Sequence, residues 1–131
     1  MDGRKRPWWD YADNLLNSET SGNININTTY VAKAASTFAR WKKLGRIVTV
    51  ELYDIDLKAG YSTDNVAIIG TGLPAPKDGS FQTSIAGLNL PTLETAQTRL
   101  LVDSSGRLKP WFIGTTVVTA INGSFSYISA S

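Results

Sequence analysis

The sequence predicts an all-β fold, an antiparallel β-sandwich or jelly roll with a short amino-terminal helix, and three features support this. Short apolar runs alternate with polar residues at the period of a strand, turn signals recur about every ten residues, and the one segment read as helix lies at the start of the chain. At 131 residues the chain fits one domain, and a domain of that size buries roughly two thirds of its unfolded surface, enough for a single core. The expected division is an amino-terminal helix and linker over residues 1–22, a docking or stem segment, and a β-sandwich domain over residues 23–131.

The helix follows from Pro7-Trp8-Trp9-Asp10-Tyr11-Ala12-Asp13-Asn14-Leu15-Leu16, where Trp8, Tyr11 or Ala12, and Leu15 recur at helical spacing and Pro7 suits a first helical position. Ser18-Glu19-Thr20-Ser21-Gly22 reads as a linker. Asn23-Ile24-Asn25-Ile26-Asn27-Thr28 then alternates strictly, as a strand at an edge or in a stem would. Val31 to Ala35 is ambiguous between helix and strand. Thr37–Lys43 and Arg46–Leu57 read as strands hinged at Leu44-Gly45. In the second, Val48, Val50 and Leu52 share a face while Tyr53, Ile55 and Leu57 have opposite parity, which implies a β-bulge near Leu52-Tyr53 or burial on both faces.

Val66–Ile69 reads as a short strand stopped by the Gly70–Pro76 turn, and Phe81–Ile85 as a strand after the Asp78-Gly79 turn. Two hairpins are expected at the end. Gln97–Val102 and Arg107–Ile113 flank Asp103-Ser104-Ser105-Gly106, and Thr115–Ile121 and Ser124–Ser129 flank Asn122-Gly123, the pair that a type I′ turn favours.

Composition removes whole classes of chemistry. The chain has no Cys and no His, so disulfides, thiolate metal sites, His/Cys zinc sites and Ser-His-Asp or Cys-His machinery are excluded. Net charge is +2 at neutral pH. It is uneven: residues 1–46 carry eight Lys/Arg against four Asp/Glu, and 47–131 carry five against seven. No apolar run approaches the length of a membrane span, and Arg4-Lys5-Arg6 is not followed by a signal-type hydrophobic stretch. The chain is therefore expected to be made in the cytoplasm without a signal peptide and not to insert into membranes.

Asp54 and Asp56 are the acid/base pair that remains, two apart on a strand and so on one face. A glycosidase pair or a calcium site are the functional readings, against a solvated outer face. The outer face is the expectation, because apolar residues alternate with these acids. Gly70-Thr71-Gly72-Leu73-Pro74 is followed by prolines and not by a helix, so it reads as a turn and not a phosphate cradle. Lys33, Arg40, Trp41, Lys42, Lys43 and Arg46 interleave charge with an aromatic, yet the near-neutral charge argues against nucleic acid as partner. Neither catalysis nor a cofactor is expected.

Aromatics carry the positive signal. Four Trp and five Tyr exceed what a small core needs, and their amphipathic faces suit protein interfaces and sugar rings. Trp8, Trp9 and Tyr11 are candidates for docking on a partner protein. Trp41, Tyr61, Trp111 and Tyr127 are candidates for a saccharide shelf, with core packing as the competing fate of each.

Two stretches carry a resemblance. One is Arg40-Trp41-Lys42-Lys43-Leu44-Gly45-Arg46-Ile47-Val48-Thr49-Val50 with the later Ile69-Gly70-Thr71-Gly72-Leu73-Pro74-Ala75-Pro76. The other is Leu100-Leu101-Val102-Asp103-Ser104-Ser105-Gly106-Arg107-Leu108 with the closing Phe125-Ser126-Tyr127-Ile128. Together they resemble the carboxy-terminal head domains of tailed-phage receptor-binding and baseplate proteins, especially in phages of Gram-positive bacteria. The resemblance implies a non-catalytic homotrimeric head at the phage tail tip in the virion, which binds host cell-wall saccharide and is held to other phage tail proteins through its amino terminus. The alternative is a structural virion subunit, in the tail, a fibre link or capsid decoration, that binds only other phage proteins.

Overall fold

The computed structural model describes residues 19–58, 67–90, 92–112 and 119–131. All its regular structure is β: β1 (Thr20–Asn23), β2 (Asn25–Ile26), β3 (Val31–Ala32), β4 (Phe38–Leu44), β5 (Ile47–Leu57), β6 (Gly70–Thr71), β7 (Phe81–Asn89), β8 (Glu94–Val102), β9 (Leu108–Phe112) and β10 (Ala120–Ile128). The all-β class is as the alternation requires. The amino-terminal helix, with Trp8, Trp9 and Tyr11, lies outside the described residues, as does Tyr61. Among the described residues no helix is long and apolar enough to cross a membrane.

Every pairing is antiparallel, in the order β1-β4-β5-β10-β7-β8-β9-β6-β2, with β3 added beside β5. The first and last strands of that path are one extended segment interrupted only at Ile24. Thr20–Asn23 pairs with β4, and Asn25–Ile26 pairs with β6. Around them the Ile24 N–H donates to Ala39 O (2.9 Å) and the Asn27 N–H to Ile69 O (3.0 Å). One segment thus satisfies backbone groups at both ends of the sheet, and the sheet nearly closes into a barrel with few free edges. Thr20 to Gly22, expected as linker, are strand here. Their small side chains suit an edge, and Gly22 lies flat against the Trp41 indole, where an added Cβ would come within 2.9 Å of the ring.

The core is the inward set of these strands: Val48, Val50, Leu52, Ile55 and Leu57 of β5, Leu100 and Val102 of β8, Leu108, Ile121, Phe125 and Tyr127, closed by Ile24, Val31, Ile69 and Leu73. Burying each such aliphatic side chain is worth roughly 1.5–3 kcal/mol. The parity slip in β5 is a bulge. Ile121 pairs with Ile55 but Gly123 pairs with Leu52, so Tyr53 and Asp54 together face Asn122. The extra residue restores Ile55 and Leu57 to the core side and leaves Tyr53 outside, 51% exposed. Asp54 takes the bulge conformation at φ 55°. It is held there by its N–H donating to Asn122 Oδ1 (2.7 Å), by the Thr37 hydroxyl donating to its carbonyl (2.9 Å), and by a Ser36 hydroxyl bond to its carboxylate.

Asn122-Gly123 is therefore not a hairpin turn, as the sequence suggested, because β10 runs through it unbroken. The positive φ of the bulge belongs to Asp54, and Gly123 across from it takes φ 150°, a conformation that L side chains rarely adopt. The ambiguous Val31–Ala35 stretch is a two-residue strand followed by a turn. Ala67 and Ile69 are buried in extended chain that precedes β6 rather than forming a strand. The β8–β9 hairpin turns at Asp103–Gly106 as expected.

That turn is built on one carboxylate. Asp103 Oδ1 accepts the N–H of Ser105 (2.9 Å) and of Arg107 (3.0 Å), while Oδ2 accepts Arg107 Nε (2.7 Å) and lies 3.2 Å from Lys109 Nζ. Partial burial pushes the Asp103 carboxyl up, but the bonds from Arg107, Ser105 and Lys109 outweigh it and hold the group below the ordinary carboxylate range. Gly106 next to it takes φ 72°, and a Cβ there would sit 1.9 Å from the Leu73 carbonyl oxygen, in the same contact where Leu73 N–H donates to Gly106 O (3.1 Å).

Two outcomes follow for stability. Gly106→Ala destabilises by at least about 2 kcal/mol in urea unfolding, whereas Ser105→Ala in the same turn stays within about 0.5 kcal/mol. Because the folded pKa of Asp103 is lowered, its contribution is full above the unfolded value of about 3.9 and is lost as pH falls through the folded value. Asp103→Asn therefore costs about 1 kcal/mol near pH 7 and flattens the loss of stability below about pH 4; urea midpoints of both proteins across that range check it.

Candidate functional site

β10 and β7 part company after the two pairs Ala120↔Leu88 and Ile121↔Gly87. Where the ladder stops, side chains take over. Phe81 at the start of β7 stacks on Tyr127 (ring centroids 5.4 Å) and Phe125 (6.0 Å), which stack on each other (6.3 Å). Rings fit this divergence because they bridge a gap wider than aliphatic side chains fill. Over them opens a cleft of about 350 Å³ with Phe81 and Tyr127 at its base and Pro76, Lys77, Asp78, Ser80, Ser126 and Ile128 around it.

Its rim is fixed from the backbone. Pro76 bridges to Ser129, Lys77 N–H donates to Ile128 O (2.9 Å), and Ala130 N–H donates to Ala75 O (2.8 Å). The turn then closes with Gly79 N–H on Pro76 O (3.3 Å). Lys77, Asp78 and Ser80 are thereby presented, exposed, on a short turn tied to the end of β10. Arg46 braces the same corner from the other side, its guanidinium donating to Ser129 O (3.1 Å) and Ala130 O (2.9 Å).

The sequence candidates separate. Tyr127 belongs to the cleft but lies 4% exposed beneath it. Its hydroxyl donates to Pro74 O (2.7 Å), and burial holds the phenol well above its usual range. Trp41 sits on β4 opposite Val50, with β5 between it and β10, so at strand spacing it is roughly 10 Å from Tyr127's strand. The two form no common shelf. The Trp41 ring is half-buried against the core under Gly22, and its Nε1 is buried without a hydrogen-bond partner. Trp111 lies on β9 opposite Arg99 of β8.

A second aromatic feature is on the outer surface. Phe38 and Tyr53, paired across β4 and β5, stack at 5.4 Å and 17° while remaining 43% and 51% exposed. The Arg40 guanidinium lies 5.3 Å from the Phe38 centroid and is anchored by Glu51 Oε2, which accepts its Nε (2.8 Å) and Nη2 (2.6 Å). Of the basic-aromatic segment, Arg40 and Arg46 thus have internal partners, which leaves Lys33, Lys42 and Lys43 as a thin basis for gripping phosphates. Asp54 and Asp56 do share the outer side. Partial burial, together with the hydrogen bond and charge of Asp54, raises the Asp56 carboxyl above its ordinary range. Among the described residues no group of three or more acidic side chains is placed to hold a metal ion.

Sequence reasoning missed Phe81 and its rim. Its signal was a lone aromatic just after a Pro-Lys-Asp-Gly turn, and only the divergence of two strands distant in sequence brings that position into a cleft. Fold and site together define a barrel-like antiparallel β-domain with an aromatic-floored cleft. No protein-family description, curated protein or solved structure matches the chain.

Proposed function

We propose that this chain is a non-catalytic recognition head at the tip of a phage tail, a receptor-binding or baseplate domain that takes host cell-wall saccharide and works as a homotrimer. The observation that carries the saccharide reading is the Phe81 cleft. It pairs an apolar ring with an ammonium, a carboxylate and two hydroxyls, from Lys77, Asp78, Ser80 and Ser126. A sugar is amphipathic in the same way: its C–H face stacks on an aromatic while its hydroxyls accept from a cation and donate to a carboxylate. Holding these groups on a braced turn lowers the ordering cost of binding. The resemblance of Arg40–Val50 and Leu100–Leu108 to phage head domains supplies the biological setting.

Trimer formation fits the exposed apolar side chains. Leu90 and Leu93 stand 47% and 71% exposed, and apolar surface of this kind is ordinarily covered by a partner. Three weak sugar sites joined in one particle also gain in avidity on a cell surface. Leu90 and Leu93, at the tip of the β7–β8 turn and away from the Phe81 rim, equally favour a second reading, a structural virion subunit that binds only other phage proteins.

Purified Gram-positive cell walls, pelleted with the full chain, separate the two. The saccharide reading expects co-sedimentation that Phe81→Ala weakens about tenfold or more, with circular dichroism unchanged. Failure of the unsubstituted chain to bind walls from any of a broad panel of hosts would overturn it and leave the structural reading. The mass in solution, by light scattering, is expected to be three times that of one chain; a monomer at micromolar concentration contradicts the trimer.

A further inference from the structure

We infer that the saccharide is a glycan chain lying along the outer face of β10 and β5, not a single sugar seated in the cleft. This rests on the saccharide reading above and extends it. The outward residues of β10 are Asn122, Ser124, Ser126 and Ile128, and those of β5 are Ile47, Thr49, Glu51 and Tyr53. Their register sets Ile128 beside Ile47, Ser126 beside Thr49, and Ser124 beside Glu51. The face therefore has an apolar end at Ile47 and Ile128, an aromatic end at Tyr53 and Phe38, and a low hydroxyl-lined floor between them.

Three features make this floor a track. Ser124, Ser126 and Thr49 are short, so a ligand can lie close to the sheet, and the Thr49 and Ser126 hydroxyls already pair at 3.1 Å. The Arg40–Glu51 pair stands beside the floor and offers both donors and acceptors at its side. Asn122 commits its carbonyl oxygen to the Asp54 N–H (2.7 Å), so its amide NH2 is the group it turns to a ligand next to Tyr53.

The track is continuous with the cleft. Ile128 belongs to both, Ser126 lies on the floor and on the cleft wall, and β10 has no ladder partner on its β7 side beyond Ile121. From Ile47 to Tyr53 the strand advances about 20 Å. A single sugar cannot touch both ends of that distance, but a chain of several units can. Such a polymer presents repeated hydroxyls and apolar C–H faces, which match the alternation of serine floor and aromatic ends. Arg40 and Glu51 offset each other beside the floor, and Lys42, opposite Thr49, adds an exposed ammonium there, so the complementary ligand is a hydroxyl-rich chain that carries at most scattered negative charge.

Calorimetric titration of the full chain with size-fractionated fragments of purified Gram-positive cell-wall polysaccharide tests this. Affinity is expected to rise with fragment length until the face is spanned. Tyr53→Ala should lower affinity about tenfold for the longest fragments and leave the shortest unchanged, while Phe81→Ala lowers both. Ser126→Trp, which fills the floor without emptying the core, should block long fragments. Affinity independent of length, or long fragments indifferent to both Tyr53→Ala and Ser126→Trp, overturns the track and leaves the cleft reading standing. No binding of any fraction to the unsubstituted chain overturns the saccharide reading and the track with it.

Discussion

The pairing of β5 with β10, and the single bulge within it, is the constraint on which the rest of the domain depends. β5 runs against β10 from Ile47↔Ile128 to Asp56↔Ala120, nearly its whole length. Without an extra residue at Tyr53-Asp54, the alternation that buries Val48, Val50 and Leu52 would turn Ile55 and Leu57 to solvent, a loss of several kcal/mol of buried apolar surface. The bulge is correspondingly well held, through Asn122 on β10 and through Ser36 and Thr37 just before β4. Its by-product is that Tyr53 is turned outward beside Phe38 and becomes surface instead of core.

Closure of the sheet is the second requirement. The segment from Thr20 to Asn27 supplies ladder bonds to both ends of the strand path, so among the described residues the sheet nearly closes on itself. The ladder is short where β10 meets β7, held there by two residue pairs. The aromatic trio Phe81, Phe125 and Tyr127 compensates by packing where hydrogen bonds end. The concavity over those rings is thus a consequence of how the sheet splits, and the Pro76 turn, pinned to β10, brings polar side chains to its rim. Core and candidate site share residues here: Tyr127 stabilises from below what Phe81 presents above.

Much of this was legible in the residues. The strands from Phe38 to Leu57, the β8–β9 hairpin and the parity slip in β5 are all visible as alternation and turn chemistry, because local signals decide them. The Asn122-Gly123 pair misled for a physical reason: positive φ serves a bulge as well as a turn, and only the pairing with β5 selects between them. Thr20 to Gly22 look like linker because their side chains are small and polar, yet an edge strand against β4 asks for little else. The site was less legible still. Tyr127 and Trp41 stood out as aromatics, but whether a ring is floor, filler or platform depends on which strands diverge and which glycine approaches. Gly22 covers Trp41, Phe81 covers Tyr127, and nothing within a few residues of either marks this.

On the proposed function, one strand, β10, turns core residues inward and a recognition surface outward. Amide chemical-shift mapping of the labelled chain with solubilised Gram-positive cell-wall polysaccharide tests it most directly. The expected perturbations fall along Lys77 to Phe81, Ile47 to Tyr53 and Asn122 to Ile128, forming one continuous stripe. Perturbations centred instead on Trp41 and β1, or on the Leu90–Leu93 turn, would contradict it.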